Sequence, residues 1–151
     1  MVQGKWFSPG SDLSAVLPVR EAVFGRGADG LDALSWNVIV YQDSVPAASG
    51  RIWWQDGAFW LGDLCVLEEY RRQHLGDLVL RLLLFKAREH AAREVRLSCP
   101  PDLTGFFARL GLREQPSGDS PLVEMLIPGS EIDLYTCKNC PKASCPGRKR
   151  P

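Results

Sequence analysis

The chain has 151 residues, 45% of them hydrophobic and 24% charged, with a formal net charge of zero. That length carries one domain with a sizeable core, and the balanced charge gives no overall field to gather nucleic acid. The most apolar run, LVLRLLLF, is too short to span a bilayer and is interrupted by Arg81.

MVQGKWFSPGSD lacks the charged start and apolar stretch of a secretory leader. The five cysteines are an odd number, and Cys65 and Cys99 sit inside apolar, strand-like segments. A disulfide framework is not expected, and the reading is a cytoplasmic protein with reduced thiols.

In chain order, GKWF reads as a short strand. Asp12 is the expected cap of a helix whose buried stripe is Leu13, Val16, Leu17 and Val23 or Phe24, with Pro18 inside its first two turns. GADGLDAL is a loop or a second short helix. SWNVIVYQ and AASGRIWW are β-rich and form a hairpin across DSVPA. GAFWLGDLCVL, apolar on both faces, is expected in the middle of the sheet. From Leu75 the apolar positions become Leu75, Leu78, Val79 and Leu82, the spacing of a helix face. EVRLSC is a strand. DLTGFFARLGL is a short helix with Asp102 as cap and Gly111 in the stop position, and PLVEMLIP is the last strand. The order β-α-α-β-β-β-α-β-α-β predicts an α+β, or mixed α/β, fold. After Ile132 apolar periodicity is lost.

Residues 66–77, VLEEYRRQHLGD, take a strand into a basic turn at the head of a helix. Unpaired N–H groups and the helix dipole receive an anion well at such a place. Gly76 lets the backbone come close, and Arg71 and Arg72 bring charge and forked donors. The turn by itself fits a phosphate cradle or an ordinary strand-to-helix corner.

Three stretches decide between them. LCVLEEYRRQHLGDLVL resembles the strand, basic-glycine loop and helix of the GNAT superfamily of acyl-CoA N-acyltransferases, written V-x-P-E-Y-R-G-x-G-x-G. GFFARLGLRE resembles the family's F-Y-E-K-L-G-F segment, and VREAVFGRG its early helix with an R-x-x-V-F core. The likeness spans roughly residues 4–128. It implies a central, mostly antiparallel sheet of six to seven strands flanked by about four helices, within a domain of residues 1–130, followed by a basic, cysteine-containing tail at 131–151. It also implies an N-acetyltransferase that moves an acetyl group from acetyl-CoA to a small-molecule or peptide amine by direct attack. In that picture Arg71, Arg72, Gln73, His74, Leu75 and Gly76 hold the coenzyme A pyrophosphate. Leu64, Cys65 and Val66 pair with the pantetheine arm, and the Val66 N–H receives the acyl oxygen.

The chain departs from the family pattern in three places. His74 stands where the first glycine is usual, and Asp77 where a small hydroxyl residue often faces phosphate. A carboxylate there repels a pyrophosphate unless it points away. Otherwise Asp77 serves the helix dipole and His74 is an exposed loop residue. Phe107 replaces a tyrosine that protonates the departing thiolate, so that Tyr70 or a water would have to substitute.

An alkylamine with a pKa of about 10.4 is only about one part in 10³ neutral at pH 7, so a base is expected. Asp63 inside the strand is the first candidate, followed by Glu68 and Glu69 just past its end. An ion pair between Asp63 and Arg51 is the structural alternative. Trp53, Trp54, Phe59 and Trp60 are either the wall of an acceptor pocket or sheet packing, and His90 suits a helix C-terminus.

From Leu134 onward the chain carries five basic residues and no acid, which leaves the remainder at −5. Cys137, Cys140 and Cys145 form C-x₂-C-x₄-C, three of the four ligands zinc normally takes, the fourth coming from the body, a second subunit or water. The other reading is a reduced, flexible end. A non-catalytic acyl-CoA-binding or partner-binding module with a metal-binding tail is the alternative function. Homodimer pairing through the C-terminal strand stays open.

Overall fold

The computed structural model describes residues 1–116 and 118–134. Cys137, Cys140 and Cys145, and with them the zinc reading, lie outside the described residues. β-Branched and aromatic runs form seven strands: β1 (Val2–Phe7), β2 (Trp36–Gln42), β3 (Val45–Gln55), β4 (Ala58–Val66), β5 (Glu94–Cys99), β6 (Arg113–Glu114) and β7 (Val123–Pro128). They make one sheet in the order β1-β2-β3-β4-β5-β7-β6, antiparallel throughout except between β4 and β5. β4 is the middle strand, as its two apolar faces predict.

Among the described residues three α-helices accompany the sheet: α1 (Leu17–Phe24), α2 (Leu75–Glu89) and α3 (Thr104–Ala108). GADGLDAL contributes a 3₁₀ turn, Gly30–Ala33, closed by a reciprocal cap between Asp29 and Asp32. α1 starts later than Asp12 suggests. Asp12 instead accepts the Ser14 N–H at 2.9 Å and closes a turn, while Pro18 occupies the first turn of the helix. Phe24, one of two candidates for the stripe, is 42% exposed. Asp102 lies in a 3₁₀ turn, Pro101–Leu103, and does not cap α3. β6 is too short for periodicity to reveal. The β2–β3 connection is tighter than expected: Asp43 and Ser44, both at positive φ, turn the chain in two residues.

α2 buries Leu75, Val79, Leu80, Leu83, Leu84 and Ala87 against the sheet. A β-carbon at Gly50 would lie 2.9 Å from Val79 Cγ1 and 3.0 Å from Leu83 Cδ1, so the absence of a side chain in β3 sets how closely the helix seats. The next residue, Arg51, points to the opposite face, where Arg20 of α1 is also buried. Among the described residues no helix is long and apolar enough to cross a membrane.

Candidate active site

The site begins with an irregularity in β4. Cys65 pairs with Ser49 and Gly62 with Arg51, which leaves Asp63 and Leu64 opposite the single residue Gly50. Asp63 takes up the extra length with φ 51°. Such a bulge bends a strand and re-aims its side chains. β4 and β5 are registered at two positions only, Phe59 with Val95 and Trp60 with Arg96. Beyond them the strands part around a cleft of about 390 Å³, lined by 61–64 on one side and 97–100 on the other.

Asp63 lines this cleft with only 6% of its side chain exposed. Arg26 grips it with both terminal nitrogens, Nη1 at 3.1 Å from Oδ2 and Nη2 on Oδ1. Arg51 Nε and Arg20 Nε stand 2.9 and 3.4 Å from Oδ2. Behind them Arg20 donates to Asp32 at 2.8 and 2.9 Å and to Asn37 at 3.0 Å, and Arg51 donates to Asp29 at 2.6 and 2.8 Å. Three guanidiniums thus face three carboxylates, which is what permits charges to be buried here. Burial pushes the Asp32 carboxyl up, but the Arg20 hydrogen bond, the Asp29 N–H and the two guanidiniums together bring it down to about 2. The Arg51 hydrogen bonds hold Asp29 below its ordinary value against a smaller effect of burial. The ion pair between Asp63 and Arg51 is therefore present, and the same carboxylate faces the cleft.

The other acids and the tyrosine lie elsewhere. Glu68 and Tyr70 are carried past the strand end by a 3₁₀ turn, Glu68–Tyr70. Glu68 is exposed and outside the cleft, and Tyr70 borders a second pocket of about 260 Å³. That pocket is the turn itself, lined by Val66, Arg71, Arg72 and 74–77 and closed by Phe106 of α3 and Arg109 just past its end. Gln73 is exposed and does not line it. Arg72 and His74 both adopt left-handed backbone, at φ 68° and 62°. His74 precedes α2 without a side-chain cap bond, which leaves the first-turn N–H groups to whatever occupies the pocket. Asp77 is drawn along the helix to Arg81, at 2.7 Å, and has Arg109 at 3.9 Å.

The pocket and the cleft meet at the end of β4. Leu67 N–H donates to Ala47 O at 2.8 Å, so strand alternation turns the peptide groups of Val66 and Leu64 away from β3 and towards the cleft side. Arg71 Nε donates to Val66 O at 3.1 Å. Cys65 alternates the other way. Its thiol is buried 3.4 Å from Ser49 Oγ, and burial pushes its pKa up. Phe107 is 7% exposed, packs edge-to-face on Phe106 and lines the cleft without a proton to offer.

Trp53, Trp54, Phe59 and Trp60 surround the closed end of the β3–β4 hairpin, and none lines the cleft. Trp53 covers Gly62 and Arg51, and Trp54 meets Phe59 edge-on, so they pack the sheet. His90 ends α2 beside Trp36 and Phe59. Among the described residues no three His, Cys, Asp or Glu side chains are grouped to hold a metal. Sequence reasoning missed Arg26, Cys99 and Arg109. The i, i+3 spacing of Phe106 and Arg109 is the one local signal that put them on the same face.

A sequence profile described as "Acetyltransferase (GNAT) family" matches residues 17–112. This chain belongs to the GNAT acetyltransferase family. No curated protein sequence matches it significantly. Among solved structures it is similar to an acyl-CoA N-acyltransferase from Pseudomonas aeruginosa, at 20% identity and TM-score 0.75, over 83% of this chain and 99% of that one. It is similar to Escherichia coli ElaA at 19% identity and TM-score 0.70, over 83% and 99%. A third is a GNAT family acetyltransferase from Elizabethkingia anophelis with acetyl-CoA bound, at 12% identity and TM-score 0.64, over 84% and 97%. At these identities the likeness is one of fold.

Proposed function

We propose that the protein is an N-acetyltransferase that passes an acetyl group from acetyl-CoA to a primary amine by direct attack. One observation carries this reading: a turn with uncapped helix N–H groups and Arg71, Arg72 and Arg109 stands at the end of a strand whose free peptide edge opens into a cleft. Guanidiniums and helix N–H groups suit a pyrophosphate, and the β4 edge suits an amide-bearing arm. The donor set therefore fits coenzyme A, which supplies the activated acetyl group. The structural neighbour with acetyl-CoA bound supports the same cosubstrate.

Among the described residues Asp63 is the one carboxylate lining the cleft, so it is the group to take the first proton that the acceptor ammonium gives up. The neutral nitrogen then forms the C–N bond as the C–S bond breaks. Phe107 offers no proton, so the sulfur departs as thiolate, and water carries to it the second proton that the nitrogen sheds on becoming an amide; a thiol pKa of about 8.5 makes this tolerable. Cys99 also lines the cleft, but burial pushes its thiol up, which disfavours an acetyl-cysteine intermediate and supports direct transfer.

Calorimetry with acetyl-CoA, followed by thiol release on a panel of amines, tests the reading. Binding that weakens about tenfold or more in Arg71→Ala, with turnover lost in Asp63→Asn, is the expected result. No heat at millimolar acetyl-CoA would remove it. The Arg26 grip on Asp63 and the inert Phe107 favour a second reading, an acyl-CoA-binding module without catalysis. Binding with no thiol release on any amine would establish that one.

A further inference from the structure

The Arg26–Asp63 pair at the cleft has a feature the acetyl-transfer reading does not use. Asp63 is almost fully buried and retains Arg51 and Arg20 within ion-pair distance, whereas the Arg26 side chain is 49% exposed and enters from the solvent side. Apart from Asp63, its nearest acid is Asp29 at 4.0 Å, and its guanidinium lies 5.1 Å from the Phe24 ring centre. Arg26 is thus a removable cover over Asp63, the only carboxylate that lines the cleft among the described residues. The six-membered charge cluster is balanced. An ammonium that displaced Arg26 would leave its guanidinium unpaired beside a low-dielectric wall, which is unfavourable. A ligand that brings a carboxylate together with its ammonium restores both pairs. Phe24, Leu103 and Leu122, which are 42%, 44% and 44% exposed, all line the cleft and give it an apolar rim. Exposed apolar side chains gathered at a cavity mouth mark what the cavity receives.

We propose that the acceptor is a free α-amino acid with an apolar or aromatic side chain, whose zwitterionic head opens the Arg26–Asp63 pair and takes its place. This rests on the acetyl-transfer reading. The planar fork of Arg26 takes the substrate carboxylate, and Asp63 takes the ammonium. Asp63 then accepts one ammonium proton, the nitrogen attacks the thioester carbonyl, the C–N bond forms and the C–S bond breaks. Coenzyme A leaves as thiolate, the second proton of the nitrogen passes through water to that thiolate as the amide forms, and the proton on Asp63 passes to bulk water. The apolar side chain rests against Phe24, Leu103 and Leu122.

The test is thiol release from acetyl-CoA with L-phenylalanine, L-phenylalaninamide and 2-phenylethylamine, which share a ring and an amine but differ in the carboxylate. L-Phenylalanine should be preferred by at least about tenfold in kcat/KM. Arg26→Gln should bring that ratio close to one, and Arg26→Lys should keep part of it, with thermal unfolding confirming that both variants fold. Equal turnover of the three amines by the native protein would overturn the zwitterion assignment and leave acetyl transfer standing. A ratio unchanged in Arg26→Gln would overturn it as well. A chain that gives no heat with acetyl-CoA would overturn the transfer and this assignment together. Calorimetric titration of L-phenylalanine into the protein saturated with coenzyme A reads the head-group contact without catalysis, and equal binding of 2-phenylethylamine there would also sink it.

Discussion

Asp77 Oδ2 lies 2.7 Å from Arg81 Nε, one turn further along α2, so the carboxylate bordering the pocket proposed for the diphosphate is held by a cation of its own helix. The pair mutes a charge that would otherwise repel a diphosphate. It does not delete it, because the pair is partly exposed and Coulomb terms near a surface amount to about 1 kcal/mol. Asp77→Ser is therefore expected to tighten acetyl-CoA binding by about fivefold in calorimetry. The same change removes an acid from the first turn of α2 and should lower stability by about 0.5 kcal/mol in urea unfolding. Opposite signs in the two measurements are the signature. An unchanged Kd would mean that Arg81 already cancels the charge.

His74 sits at φ 62° and ψ 20°, a conformation in which the β-carbon of an L-residue crowds its own backbone at about 1 kcal/mol or more. His74→Gly should stabilise the unliganded protein by about 1 kcal/mol, seen as a higher urea midpoint with an unchanged slope. A lower midpoint would show that the imidazole holds the turn by contacts that outweigh the strain.

The buried ion cluster makes stability depend on acid. Asp32 has its carboxyl brought from an ordinary 3.8 to about 2, so the folded state favours its charged form. That contribution, about 2 kcal/mol, is complete above pH 4 and is lost as the pH falls through 2. Asp29, also lowered, adds in the same direction. Thermal unfolding between pH 6 and 2 should show the decline, and Asp32→Asn should flatten it while lowering stability at pH 7 by about 3 kcal/mol, because Arg20 and Arg51 each lose one of the carboxylates that compensate their burial. A slope unaltered in Asp32→Asn would place the acid sensitivity elsewhere.

Phe107 lines the cleft, and under the proposed acetyl transfer it stands beside the leaving sulfur without a proton to give. Phe107→Tyr supplies a phenol with almost no change of shape. It should raise kcat by about tenfold, the low end of what a general acid contributes, provided that thiolate departure limits turnover. An unchanged kcat together with a solvent-viscosity effect would instead assign the limit to product release.

Local chemistry wrote most of the fold into the chain. The apolar faces of β4, the helical spacing from Leu75 and the strand-turn-helix at residues 66–77 each signal their element within a dozen residues. The misses have two causes. GADGLDAL and Asp12 carry cap chemistry that serves a 3₁₀ turn and a simple turn as well as it serves a helix. β6 is two residues long and exists only because β7 lies alongside. The cleft was legible from one side only. Leu64 and Asp63 announced themselves in β4, but Arg26 reaches Asp63 across 37 positions, and Arg109 joins the pocket at the head of α2 from the end of α3. No spacing rule records such meetings. A buried aspartate within an apolar strand does ask for partners, and Arg51 on the adjoining strand was the one that adjacency could reveal.

Two rungs, Phe59 with Val95 and Trp60 with Arg96, register the N-terminal four strands on the C-terminal three. One buried core, with Ile52, Leu61, Leu84, Val95 and Ile127 in it, runs beneath both halves. The parting of β4 from β5 is therefore built into a packed sheet, and the cleft is an opening in its ladder with solid packing beneath.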